Sequence, residues 1–214
     1  MKIARFEFAL FGINTYAVFD PESGDCAIID PGMSKAEERD AVVNFVKKNS
    51  LHVVAVVNTH LHIDHAISDK WTKDTFSTII AASPEDLPLG QNISQQARMF
   101  GLPIDVDAVE IDRPLKDGDT IRIGDGELKV IAVPGHSPGG IALYDQADGF
   151  LISGDSLFAG SIGRTDLPGG DHRALIENIR SRLLTLPPET IVYPGHGSST
   201  TIGHELRSNP FFRV

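Results

Sequence analysis

Apolar residues in this chain fall into short runs closed by glycine or proline, with a few stretches of helical spacing between them. Residues 2–9 and 13–19 predict two strands joined through Phe11-Gly12-Ile13-Asn14. Residues 25–30 predict a third, stopped by Asp30-Pro31-Gly32. Ser34-Lys35-Ala36-Glu37 has the form of a capping box, in which Ser34 and Glu37 satisfy each other's free backbone N–H groups. The helix it opens is expected to reach about Asn49, with Val42, Val43, Phe45 and Val46 on its apolar face. A β-branched run at 51–58 predicts a buried parallel strand, followed by a loop, a helix to about Lys73 and a strand from Phe76 to Ala82. The polar stretch from Ser83 to Gly101 is open between helix and mobile loop. Further strands are expected near 120–124, 127–133, 140–145, 149–153 and 190–193. Helices are expected at Asp171–Leu186, with Leu175, Ile176, Ile179 and Leu183 on one face, and at about 200–208. Two clusters of strands, each with helices behind it, predict an α/β (α+β) fold of the αββα sandwich type. No linker or shift of composition divides residues 1–214, so one domain is expected.

The loop after the 51–58 run reads His60-Leu61-His62-Ile63-Asp64-His65. Three histidines and an aspartate in six positions offer imidazole and carboxylate donors, the usual ligands of zinc and related divalent metals. His60 and His62 are two apart, so both rings can face one point, and Asp64 and His65 can reach a second point nearby. Read alone, such a cluster is also compatible with a solvated loop. Its place at the end of a buried strand, where open α/β sheets put their chemistry, favours a site. Three further apolar runs end in the same way: Val130–Val133 leads into Pro134-Gly135-His136, Phe150–Ser153 into Gly154-Asp155, and Thr190–Tyr193 into Pro194-Gly195-His196. Glycine lets the backbone turn sharply at such a point and proline closes the strand.

Composition narrows the possibilities without naming any. The chain has 214 residues, 41% hydrophobic and 22% charged, ordinary for a globular protein. A net charge of −10 gives no electrostatic support for nucleic-acid binding. No apolar stretch of about 18 residues is present, so no membrane span is expected. Met1-Lys2-Ile3-Ala4-Arg5 interrupts its apolar residues with charge and reads as a strand rather than a signal peptide. The single cysteine, Cys26, lies in an apolar run and reads as a buried strand residue. One cysteine makes no intrachain disulfide, which fits the cytoplasm.

The chain resembles the metallo-β-lactamase-fold hydrolases, and within them the short glyoxalase II-like (hydroxyacylglutathione hydrolase-like) branch. The resemblance rests on Asp30-Pro31-Gly32, Thr59 through His65, Pro134 through Gly139, Ser153-Gly154-Asp155, Gly163-Arg164-Thr165-Asp166 and Pro194 through Gly197. It implies that His60, His62 and His136 hold one metal, that Asp64, His65 and His196 hold a second, and that Asp155 bridges them. Two divalent metal ions are therefore expected, zinc first, with iron or manganese also suited to such donors. Bound ions lower the pKa of water to about 7 and polarise a carbonyl, so the implied reaction is hydrolysis by a metal-bridging hydroxide. Asp64 is the expected catalytic carboxylate that orients this water. Asp30, Thr59 and Ser153 are candidates for holding the ligating histidines from behind, or else strand-end residues with local roles.

The implied substrate is a small-molecule thioester, an S-2-hydroxyacyl thiol ester cleaved to acid and thiol. Full-length glyoxalase II enzymes carry a long helical C-terminal region with basic residues for glutathione, whereas this chain ends 18 residues after His196 with only Arg207 and Arg213 there. Arg164 is a candidate for holding a substrate carboxylate, or for a structural salt bridge. Ala66-Ile67-Ser68 also departs from the glycine common at this place in the family. The alternatives are a persulfide dioxygenase with one iron, using His60, His136 or Asp155 without a full second site, a true β-lactamase, and a non-catalytic metal-binding protein. His52 is expected at a sheet edge, and His172 and His204 at solvent-facing helix ends.

Overall fold

The computed structural model describes residues 1–213. Strands β1 (Lys2–Glu7), β2 (Asn14–Phe19), β3 (Asp25–Ile29), β4 (His52–Val57), β5 (Ile80–Ala82) and β6 (Arg113–Pro114) form one sheet in that order. Its first three strands run antiparallel and the rest pair in parallel. The second sheet is built from β7 (Thr120–Ile123), β8 (Gly126–Ala132), β9 (Ile141–Asp145) and β10 (Phe150–Gly154). After a small separate hairpin of β11 (Leu157–Phe158) and β12 (Ser161–Ile162), β13 (Ile191–Pro194) pairs in parallel with β10, and β14 (Thr200–Thr201) closes the edge.

The period of two along each strand explains why the sheets face each other. In β3, Ala27 and Ile29 point into the core between the sheets, while Cys26 and Ile28 point outward. In β9, Ile141 and Leu143 point inward while Ala142 and Tyr144 point outward. Each fully buried Ile or Leu contributes about 1.5–3 kcal/mol of transfer free energy, so both faces of both sheets demand cover. Helix α1 (Ala36–Lys48) covers the outer face of the first sheet with Val42 and Val46. Behind the second sheet, α6 (His172–Asn178) supplies Leu175, and Ile179 and Leu183 follow it. The result is the αββα sandwich expected from the sequence.

Several elements differ from the sequence reading. The helix cap uses Glu38 rather than Glu37. Helix α1 starts at Ala36, which puts Glu38 at its third position, and its carboxylate accepts from the backbone N–H groups of Ser34 (2.8 Å) and Lys35 (3.1 Å). The strand expected from Phe76 begins only at Ile80, because Phe76 ends α3 (Asp69–Phe76) and Ser77 turns left-handed at φ 53°. The helix expected over 171–186 is α-helical to Asn178 and then widens into a π-helical turn, Ile179–Leu183. The polar stretch from Ser83 is no mobile loop. It forms a 3-10 turn at Pro84–Asp86, then α4 (Leu87–Gln91) and α5 (Ile93–Met99). His52 opens β4, an inner strand rather than an edge strand, and its exposed ring meets Asp25 at 3.2 Å. Cys26 is fully buried in β3, and burial pushes its thiol up to about 12.

Candidate metal centre

Four loops converge at one end of the sandwich, following β4, β8, β10 and β13. Helix α2 (Ile63–Ala66) begins inside the first of them and carries Asp64 and His65, whose ring lies 3.9 Å, centroid to centroid, from that of His60. The seven histidines and aspartates singled out from the sequence all arrive at this point. Donor atoms of His60, His62 and His136 lie within 4.8 Å of one another, and so do those of Asp64, His65 and His196. Asp155 lies between the two groups: its carboxylate is 3.3 Å from His65 Nε2, 3.5 Å from His196 Nε2 and 3.6 Å from His136 Nε2. The glycine before His196 makes this approach possible, since a Cβ on Gly195 would run into the Asp155 carboxylate and the His65 ring.

Four of the five histidines, His60, His65, His136 and His196, have a partner behind the ring. The Arg164 carbonyl lies 2.7 Å from His136 Nδ1 and the Phe11 carbonyl 3.1 Å from His196 Nδ1. A carbonyl only accepts, so both Nδ1 atoms carry a proton and both Nε2 atoms face the cluster. Buried Asp30 lies 3.0 Å from His65 Nδ1 and accepts from the Thr59 backbone N–H and hydroxyl, both at 2.7 Å. Thr59 Oγ1 in turn lies 3.2 Å from His60 Nδ1. Asp30 and Thr59 therefore stand directly behind candidate ligands. Ser153 does not: its hydroxyl donates to the Leu157 carbonyl at 2.8 Å, a bond that fixes the turn after β10.

The cluster is electrostatically unfinished. His60 Nε2 is buried without a hydrogen-bond partner. His62 Nδ1 and His136 Nε2 face each other at 2.9 Å, two nitrogens aimed at one space. Burial, then neighbouring imidazoles, pulls His62 down to about 4 and His60 well below its ordinary value. The other group behaves oppositely. Burial alone would lower His196, but hydrogen bonds donated to the Asp155 and Asp64 carboxylates outweigh it and carry the imidazole up to about 10. Neutral lone pairs on one side and buried carboxylates on the other form a donor set that suits divalent cations.

Two positions escaped the sequence reading. Asp86, fully buried after Ser83-Pro84, accepts from Leu61 N (3.1 Å), the Ser137 hydroxyl (2.8 Å) and Gly139 N (2.5 Å). It ties the loop holding His60 and His62 to the loop holding His136. Gln96 of α5 accepts from Ile63 N at 3.0 Å and donates to the Leu61 carbonyl at 3.2 Å, gripping the same loop from its other side. An acidic residue after Ser-Pro resembles an ordinary helix start, which is what concealed Asp86. Arg164, by contrast, forms an exposed bidentate pair with Asp166, Nε–Oδ1 2.7 Å and Nη2–Oδ2 2.9 Å, in accord with the salt-bridge alternative.

A sandwich of this kind with a His/Asp cluster at its sheet ends defines a class of metallo-hydrolases. Residues 9–196 match the Metallo-beta-lactamase superfamily, and the chain belongs to that superfamily. It is 37% identical over 213 residues to the hydroxyacylglutathione hydrolase GloC of Haemophilus influenzae, covering 99% of this chain and 98% of that protein. Among solved structures it is similar to the BLEG-1 B3 metallo-beta-lactamase, with TM-score 0.90, 34% identity and full coverage of both chains. It is also similar to TTHA1623 in a di-iron-bound form, with TM-score 0.86, 37% identity, and 97% and 99% of the two chains covered. Among the described residues no helix is long and apolar enough to cross a membrane.

Proposed function

We infer that this chain is a binuclear metal-dependent thioesterase acting on S-2-hydroxyacyl thiol esters. His60, His62 and His136 would hold one divalent ion, Asp64, His65 and His196 the other, with Asp155 shared. The observation that carries the reading is Asp155, whose carboxylate lies within 3.6 Å of histidines from both donor groups. The di-iron form of the 37%-identical TTHA1623 supports two ions, and the similarity to GloC supports thioester chemistry. When bound, such ions supply Lewis acidity and a lowered pKa for water.

The chain's own residues contribute position and proton handling. Asp64, 3.1 Å from His196 Nε2, lies on the floor of the cleft, where its carboxylate orients the attacking water and takes up its proton. The backbone carbonyls of Phe11 and Arg164 keep His196 and His136 in the tautomers that present Nε2. The cleft above the cluster has a volume of about 460 Å³, room for a small ester rather than a polymer.

A β-lactamase reading has one observation in its favour, the similarity to BLEG-1. A panel on purified, metal-replete protein separates three readings: thioester hydrolysis, cephalosporin cleavage, and oxygen uptake with glutathione persulfide. Thioester turnover is the expected result. Oxygen consumption with every thioester left intact would move the function to the dioxygenase, and cephalosporin cleavage alone would move it to the lactamase.

A further inference from the structure

The lining of the cleft is uneven in character. Its floor is polar, but Phe11, Phe100, Phe158, Ile162 and Leu167 make up much of the wall. Phe11 precedes β2 and Phe100 follows α5, so two distant loops each bring a ring to the mouth. The rings meet edge-on, centroids 5.3 Å apart at 63°, yet remain 50% and 41% exposed. Large aromatic side chains left open at the rim of a cleft are surface waiting for an apolar ligand. Deeper in, Phe158 stands edge-on to the His196 ring, centroids 6.3 Å apart.

Charge points the same way. Arg164 is the one Lys or Arg in the lining, and its Nε/Nη2 edge is taken up by the Asp166 carboxylate. Asp166 is itself held down to about 2, chiefly by that hydrogen bond, so the pair stays internally neutralised over the physiological range. The chain as a whole carries −10, a field that disfavours the approach of anions. A glutathione thioester brings two carboxylates to this mouth, where the one basic side chain of the lining is already paired with Asp166.

Building on the thioesterase reading above, we propose that the substrate is an uncharged thioester with an aromatic or bulky apolar arm, which lies against Phe11 and Phe100. In its hydrolysis the acyl C–S bond breaks and water's oxygen forms the new C–O bond. The sulfur leaves with the electron pair and is protonated to the thiol or released as thiolate, and the acid is released as carboxylate.

The test compares two esters of one 2-hydroxy acid, lactoyl-glutathione and lactoyl-phenylmethanethiol, on metal-replete protein. The benzyl ester is expected to have the higher kcat/KM by about tenfold or more, a preference of the size that apolar contact supplies. Phe11→Ala and Phe100→Ala are expected to lower kcat/KM for the benzyl ester about tenfold, mainly through KM, and to bring the ratio towards one. Asp166→Asn, which frees Arg164, is expected to raise kcat/KM for the glutathione ester severalfold. Equal or better use of the glutathione ester, or a preference that survives both Phe variants, would overturn the proposal. Calorimetric binding of the matching non-hydrolysable thioethers separates this from the reaction type. Tighter binding of the benzyl thioether, lost in the Phe variants, with no turnover of either ester, would uphold the pocket and refute the thioesterase. Turnover with preference for glutathione would do the reverse.

Discussion

The floor and the mouth of one cleft are held together by different physics. On the floor, His60, His62, His65 and His136 are buried, with Asp30 directly behind His65 and Thr59 behind His60. At the mouth, Phe11, Phe100, Arg164 and Asp166 stand in solvent and touch mainly one another. On the proposed reading, the chemistry of this chain is built into its core, while its selectivity is laid on the surface, where a substitution costs the fold little. Changes on the floor should abolish activity or stability, and changes at the mouth should retune the substrate.

The largest effect is expected from the shared carboxylate. Asp155→Ala should lower thioesterase kcat/KM by roughly 10³-fold, the scale on which loss of an electrostatic stabiliser is felt, and should lower the bound metal measured by elemental analysis. Stripping the wild type with a chelator should give a comparable loss, reversed by adding divalent metal. Retained activity in either case would separate the cluster from the chemistry. Next comes Asp86→Ala, which leaves Leu61 N, the Ser137 hydroxyl and Gly139 N without their buried acceptor. About 3 kcal/mol of stability should be lost, read from the denaturant midpoint at unchanged slope. Metal should leave the His60/His62/His136 group before the other. At the mouth, Phe100→Ala should move the denaturant midpoint by no more than about 0.5 kcal/mol equivalent. A loss of several times that would mean the ring is part of the core. Smallest of all, the buried Cys26 thiol, raised to about 12, should resist iodoacetamide at pH 8 in the folded protein and react only on unfolding.

The same contrast governs what could be read from the sequence. The floor was legible because metal ligation restricts residue type: three histidines and an aspartate within six positions have few other uses, and His136, Asp155 and His196 each follow an apolar run and a glycine. The sandwich was legible because its strands are buried on alternating faces. The mouth was not legible, since an aromatic residue in a loop carries no signal of where its ring goes. Asp86 and Gln96 were hidden in a polar stretch open between helix and loop, where nothing in the sequence tells that their polar groups face inward onto backbone rather than outward to water. Short elements were missed for a related reason. β6 is two residues, one of them a proline with no N–H to donate, and it is a strand only because β5 offers it an edge. The π-helical turn after α6 is set by packing of Ile179 and Leu183 against the second sheet, on which helical periodicity alone is silent.

Seven side chains from four loops are proposed to hold two ions around one shared carboxylate. Elemental analysis of protein expressed without added metal, repeated on Asp155→Ala, tests it most directly. About two divalent ions per wild-type chain, with fewer in the variant, is the result the account predicts. A single iron per chain that persists in the absence of the Asp155 carboxylate would contradict it.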